Sequence, residues 1–202
     1  MVATVRLILV RHGETQLNKE GQVQGLNVVP LNATGQAQAR AVALVLSKER
    51  PSHLYSSPLV RAVETAEIAA ESLRISPISE DGFREADVGE LDGMTMEEIK
   101  TKYPRFLERW NKDCGRTRMP GGVSLLQVQN RTWPVIETLR YRHPYETVVV
   151  VTHNFVMHTI VCKILGMPLD RCRSLQQDLG SLTRIEITEK GAKLLSLYKF
   201  RQ

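Results

Sequence analysis

The chain has 202 residues, 42% of them hydrophobic, with 27 lysines and arginines against 22 aspartates and glutamates, a net charge of +5. That length and apolar share suit a single domain, residues 1–202, with a sizeable core, and they argue against a disordered or low-complexity chain. No apolar stretch approaches the roughly 20 residues that a membrane span needs, and Met1-Val2-Ala3-Thr4 does not open a charged-then-apolar leader, so a cytoplasmic protein with no membrane partner is expected.

The excess of positive charge does not by itself call for nucleic acid. Lys100, Lys102, Arg105, Arg109 and Lys112 are interspersed with Glu97, Glu98, Glu108 and Asp113, and aromatic residues are few. The segment reads either as a solvated helix face or, with Arg116 and Arg118, as a basic rim that attracts anions. Cys114, Cys162 and Cys172 are odd in number and lack C-x-x-C spacing, which predicts reduced thiols and no zinc site.

In chain order, Val5-Arg6-Leu7-Ile8-Leu9-Val10 predicts a buried strand over 4–10 that ends on Arg11-His12-Gly13-Glu14-Thr15. A helix is predicted over about 34–49, and then a short strand over 53–56. Pro58 closes that strand, and a helix over 59–73 carries Arg61 in or near its first turn. A short strand near 75–79, a loop with Glu85 and helices over about 95–112 follow. Thr95 with Glu98, and Ser124 with Gln127, read as capping boxes, the second opening a helix over 124–142. Thr147 to Thr152 predicts a second buried strand running into His153-Asn154 and a helix over 155–165. Strands over 182–188 and 193–200, joined by Glu189-Lys190-Gly191, close the chain. The alternation predicts a three-layer αβα domain, its central sheet mostly parallel with an antiparallel edge from the closing hairpin.

Strands of a parallel sheet place their chemistry at their carboxyl ends. If the strands are neighbours, Arg11, His12, Arg61 and His153 converge on one crevice. Guanidinium forks match phosphate oxygens, and a neutral imidazole can attack phosphorus or donate to it. The chain has no G-x-x-x-x-G-K-[ST] loop and no carboxylate cluster resembling a metal cage, so neither metal nor cofactor is expected and the positive charge falls to arginine. A histidine between two arginines stays neutral and nucleophilic. On this reasoning either His12 or His153 could be the nucleophile.

Five blocks in register carry a resemblance to a known family: Leu9-Val10-Arg11-His12-Gly13-Glu14-Thr15 with Asn18, Gln24-Gly25 and Pro30-Leu31; Ser56-Ser57-Pro58-Leu59-x-Arg61-Ala62-x-x-Thr65-Ala66; Arg84-Glu85 with Gly89 and Gly93; Pro120-Gly121-Gly122; and Val151-Thr152-His153. Together they resemble the histidine phosphatase superfamily, in the branch of phosphoglycerate mutases and broad-specificity phosphatases. The resemblance implies a metal-independent hydrolase of small phosphate monoesters, with His12 as the phosphorylated nucleophile and His153 as a hydrogen-bond donor to the phosphoryl oxygens. It also implies that Arg11, Arg61 and Asn18 complete the cradle and that Glu85 is the general acid and base. Gln24, Gly25 and Asn154 are carried as further phosphate-binding positions.

The chain departs from the family pattern at Leu17 for tryptophan, Val28 for aspartate, Val123 for glutamate and Asn154-Phe155 for glycine, none of which removes a phosphate-contacting side chain. Relatives with mutase activity carry a long insertion after the Glu85 region, whereas here only Asp113 to Met119 bridges to Pro120. That favours hydrolysis over a phosphoglycerate mutase. A non-catalytic phospho-ligand module would be expected to lose His12 or Glu85. The physiological monoester stays open, as does the oligomeric state, a homodimer included.

Other polar residues have plainer readings. Glu14 can simply hold its loop, and Asn18 and Gln24 can be turn residues. His158 fits a core histidine satisfied by a neighbour, His53 and His143 are expected to be exposed, and Trp110 and Trp133 to pack.

Overall fold

The computed structural model describes residues 3–198. Six strands form one sheet in the order β3-β2-β4-β1-β5-β6. The strands are β1 Thr4–Arg11, β2 His53–Ser56, β3 Pro77–Ser79, β4 Thr147–Thr152, β5 Leu182–Thr188 and β6 Gly191–Tyr198. The first four pair in parallel, and β5 and β6 add an antiparallel hairpin beside β1, so the antiparallel edge is two strands wide. The predicted last strand, 193–200, begins at Gly191, and its residues 199 and 200 lie outside the described residues.

Alternation along the central strands sorts the core into two layers. Val5, Leu7 and Leu9 with Val148 and Val150 pack under helices α6 (Leu125–Arg142) and α7 (Asn154–Leu165), while Ile8 and Val10 with Val149 and Val151 pack under α2 (Ala33–Glu49) and α3 (Val60–Leu73). Both faces of β1 and β4 are thus covered, which is why their sequences are continuously apolar instead of alternating. Each such buried side chain contributes about 1.5–3 kcal/mol relative to exposure.

The helical segment predicted over 95–112 is two helices, α4 (Met96–Lys102) and α5 (Pro104–Lys112), because Pro104 cannot continue a helix and serves instead as the first residue of the next one. Both predicted capping boxes are present. A third, Thr15 with Asn18, opens the single-turn α1 (Gln16–Lys19) directly after the Arg-His-Gly segment. The strand predicted over 75–79 is confined to Pro77–Ser79 at the sheet edge. The three cysteines are buried and free, with the Cys114 and Cys172 sulfurs 3.6 Å apart.

His143 is not exposed as the sequence suggested. It caps the end of α6, is 7% exposed, and shares a hydrogen bond of 2.9 Å with the Tyr55 hydroxyl from β2. His53 is half-buried beside it. His158 is a core histidine, donating from Nε2 to the Leu175 carbonyl at 3.0 Å, and burial pushes its pKa down to about 4. Among the described residues no helix is long and apolar enough to cross a membrane.

Candidate active site

The parallel order β2-β4-β1 sets three carboxyl ends side by side. Residues Arg11 and His12 leave β1, His153 leaves β4, and Ser57 leaves β2 with Arg61 one helical turn further on. The sequence-predicted convergence of Arg11, His12, Arg61 and His153 is present, and the two imidazole centroids lie 5.1 Å apart.

Two contacts fix the tautomer of His12. Its Nδ1 lies 2.7 Å from the Gly13 carbonyl, which can only accept, so Nδ1 carries the proton. Its Nε2 accepts from Arg61 Nε at 3.2 Å and therefore holds the lone pair. Burial, then Arg61 and then Arg11, hold the imidazole well below its ordinary pKa of 6.5. The ring is neutral, and its unprotonated nitrogen faces a cation.

Close backbone approach sets this segment in place. A Cβ on Gly13 or on Gly35 would collide with the other strand of backbone, Gly13 against Gly35 and Gly35 against Glu14, so the segment leaving β1 lies directly on the start of α2. Thr65 of α3 accepts from Gly13 N at 3.1 Å, and Glu14 accepts from the side chain of Asn32, the cap of α2, at 2.8 Å. Glu14 is thus a loop anchor.

Arg61 is fully buried. Its three nitrogens donate to three different groups: Nε to His12, Nη1 to the Asn27 carbonyl at 3.1 Å and Nη2 to the Gly25 carbonyl at 2.7 Å. Those carbonyls are aimed by Asp92, whose carboxylate accepts from the amides of Gly25, Leu26 and Asn27 at 2.8, 2.9 and 3.1 Å. Gly25 fits because Val88 and Ala86 lie where a Cβ would stand. Gly25 thus gives its carbonyl to Arg61 and its amide to Asp92. Sequence reasoning did not single out Asp92, since one aspartate in a turn-rich stretch carries no spacing signal.

Arg11 donates from Nη1 to the Gln177 carbonyl at 2.5 Å, and its Nε is buried without a protein partner. His153 Nε2 shares a hydrogen bond of 2.7 Å with Ser57 Oγ, and its Nδ1 is likewise buried and unpartnered. The same holds for Gln24 Nε2 and Arg131 Nε. Buried polar groups are seldom left unpaired, so these nitrogens around two histidines and two arginines leave hydrogen-bonding capacity that an anionic ligand could take up. Gln177 lies in a loop and Arg131 in the middle of α6, and neither position carries a local sequence signal of its contact with the site.

Glu85 is 3% exposed. Burial raises its pKa, opposed by the Ala86 amide at 2.8 Å, by Arg61, by the Phe155 amide at 3.2 Å and by Arg11. Thr152 Oγ1 donates to the Phe83 carbonyl at 2.8 Å and Thr132 Oγ1 to the Gly82 carbonyl at 2.9 Å, tying the Glu85 loop to β4 and α6. Arg131 also donates to the Arg84 carbonyl.

The remaining sequence candidates sit around this centre in lesser positions. Asn18 Oδ1 accepts from Thr15 N at 3.2 Å and from Thr15 Oγ1 at 3.1 Å, so it is engaged in the capping box of α1. Gln24 Oε1 also accepts from Thr15 Oγ1, at 3.0 Å, leaving its amide nitrogen free. Asn154 is the first residue of α7 and half-buried, and none of the site's hydrogen bonds runs to its side chain.

Chemically, the arrangement offers a neutral imidazole nucleophile, a second buried imidazole, two guanidinium groups and a carboxyl whose proton is held more tightly than usual. That set can neutralise a phosphoryl group, attack it and protonate a leaving oxygen.

Comparison with known proteins accords with this geometry. The chain is 39% identical over 96% of its length to phosphoserine phosphatase 1 of Hydrogenobacter thermophilus, covering 92% of that protein. It is 36% identical over 76% of its length to phosphoglycerate mutase-like protein 4 of Arabidopsis thaliana, covering 68% of it. The structure of mycobacterial glucosyl-3-phosphoglycerate phosphatase in complex with VO3 superposes with a TM-score of 0.85 at 28% identity, over 94% of this chain and 96% of that one. The family model for branch 1 of the histidine phosphatase superfamily matches residues 7–199, and the chain belongs to that family.

Proposed function

We propose that the protein hydrolyses small phosphate monoesters through a phosphohistidine at His12. The observation that carries this reading is the fixed tautomer of His12, proton on Nδ1 and lone pair on Nε2 beside Arg61. Nε2 attacks phosphorus as the ester P–O bond breaks, and the Glu85 carboxyl gives its proton to the departing oxygen. Water then attacks the phosphohistidine, the N–P bond breaks, and Glu85 takes back a proton from the water. Arg11 and Arg61 neutralise the phosphoryl oxygens throughout, and the free Nδ1 of neutral His153 donates a hydrogen bond to them, with Gln24 at the edge of the cradle. Asn18 supports it by holding Thr15.

No step in this scheme calls for a metal at the phosphoryl site, because the guanidinium groups supply the charge. The protein acts in the cytoplasm on soluble metabolites, with no membrane or nucleic-acid partner. Phosphoserine is the first substrate to assay, given the name of the 39% identical relative.

The test is to trap the phosphoenzyme from labelled substrate in chelator and map the labelled peptide. Acid-labile, base-stable label on His12, lost in His12→Ala and retained at a trace level in His153→Ala, is expected. Label on His153 or Ser57, or activity that vanishes in chelator and returns with magnesium, would overturn the reading.

A further inference from the structure

On the rim of the sheet opposite the phosphoryl site, at the amino ends of β2 and β4, two imidazoles and a carboxylate meet. His53 Nε2 lies 3.0 Å and His143 Nδ1 2.9 Å from the same oxygen, Oε2, of Glu146. The three donor atoms fall within 4.8 Å of one another, and the two ring centroids are 3.9 Å apart. Nothing in the phosphatase chemistry uses this cluster.

We propose that His53, His143 and Glu146 form a binding site for a divalent transition-metal ion of the zinc class, with water in the fourth position. Two imidazoles and one carboxylate are a recurrent zinc ligand set. Bonds of about 2.0–2.1 Å to a tetrahedral ion leave neighbouring donors roughly 3.3 Å apart, within a few tenths of the two contacts seen here. A nitrogen majority selects zinc, cobalt, nickel or copper over magnesium and calcium. The other nitrogen of His143 is already committed to the Tyr55 hydroxyl at 2.9 Å, the outer hydrogen bond that orients a ligating imidazole and leaves Nδ1 for the metal.

The ligands are held on fixed backbone. His53 pairs in register with Val148 at the start of β2. His143 N donates to the Leu139 carbonyl at 3.0 Å, the Glu146 amide to the His143 carbonyl at 3.2 Å, and Arg6 N to the Glu146 carbonyl at 2.9 Å. Among the described residues no lysine or arginine pairs with Glu146, and its side-chain partners there are the two imidazoles. A bound ion would tie the end of α6 to β2.

The test is uptake of Zn2+ alone by chelator-stripped, full-length protein, read by calorimetry and by thermal melting. One saturable equivalent is expected, together with a rise in Tm of about 5–10 °C at a hundredfold excess of free metal over Kd. His53→Ala and Glu146→Gln should each weaken uptake at least tenfold while leaving p-nitrophenyl phosphate hydrolysis unchanged. Cys114→Ser and His12→Gln should bind Zn2+ as wild type does, and the X-ray absorption of the Co2+ form should show nitrogen and oxygen neighbours and no sulfur. Absence of saturable uptake would refute the site, as would uptake indifferent to His53→Ala and Glu146→Gln, uptake lost in Cys114→Ser or His12→Gln, or sulfur around Co2+.

Discussion

Arg61 Nε donates to His12 Nε2 across 3.2 Å while the other two nitrogens of the same guanidinium are held by the Asn27 and Gly25 carbonyls. Burial and then this guanidinium hold the His12 imidazole well below its ordinary pKa, and on the proposed reading the same group marks where the phosphoryl oxygens will lie. On that reading, arriving substrate need only replace the imidazole with a phosphoryl oxygen on this Nε–H, which releases His12 to attack.

Lysine cannot reproduce that fork, because a single ammonium cannot reach both carbonyls and His12 in fixed directions. Arg61→Lys is therefore expected to lower kcat/KM by about 10²- to 10³-fold, the scale of losing one preorganised charge donor. The loss should fall mainly on kcat. Steady-state kinetics with p-nitrophenyl phosphate reads both, and a variant within threefold of wild type would remove Arg61 from the chemistry.

Asp92 touches no reacting atom in this scheme, yet three amides that converge on it aim the carbonyls holding Arg61. Asp92→Ala should free the 25–27 turn and cost about 10- to 100-fold in kcat/KM, since misplacing a catalytic group by about 1 Å is worth that much. Asp92→Asn keeps one carbonyl acceptor and should recover part of the loss. A simple packing role would show no such graded recovery, and it would move stability and activity together. Melting temperature measured alongside kcat/KM in both variants separates the two.

The sequence was most informative where geometry follows from local pattern. Continuous apolar runs marked β1 and β4, their last residues marked the rim where Arg11, His12 and His153 gather, and the capping boxes at Thr95 and Ser124 marked two helix starts. Contacts brought together by tertiary structure alone were not legible. His143 reads as exposed beside Pro144, yet Tyr55 of β2 bonds to it, and Gln177, Arg131 and Asp92 join the site through tertiary contacts that their local sequence pattern does not announce. Asn18 and Gly25, expected from the resemblance to bind phosphate, make contacts of another kind in the fold: one closes a capping box and the other lends a carbonyl to Arg61.

Burying two neutral histidines makes stability depend on pH. His12 and His153 are held well below 6.5 in the folded protein, whereas in the unfolded chain each takes a proton near that value. The unfolded state thus binds more protons as pH falls below 6.5, and the folded state loses stability over that window until the depressed folded values are reached. Glu85 works in the opposite sense, its raised pKa costing stability as pH climbs above 4.5. Comparison with His153→Gln, which can keep a hydrogen bond to Ser57 but cannot titrate, cancels the Glu85 contribution. Melting curves at about pH 7.5 and 5.5 should show a smaller acid loss in the variant than in wild type. Parallel losses would mean that His153 does not stay neutral in the fold.

Glu85 is the residue whose role depends most on its protonation. Its raised pKa keeps the proton to higher pH than an ordinary carboxyl at 4.5, as a general acid requires. An alkyl phosphate needs that proton, because its alkoxide is a poor leaving group, whereas p-nitrophenolate departs unaided. Glu85→Gln should then cost about 10²- to 10⁴-fold on an alkyl phosphate and far less on p-nitrophenyl phosphate. The pH profile should change as well. In wild type, kcat/KM for the alkyl substrate falls as pH rises and Glu85 gives up its proton, and the variant should lack that limb. A residue that only shaped the pocket would slow both substrates alike and leave the profile in place, and that result would pass the role to Asp81, Asp87 or Glu90.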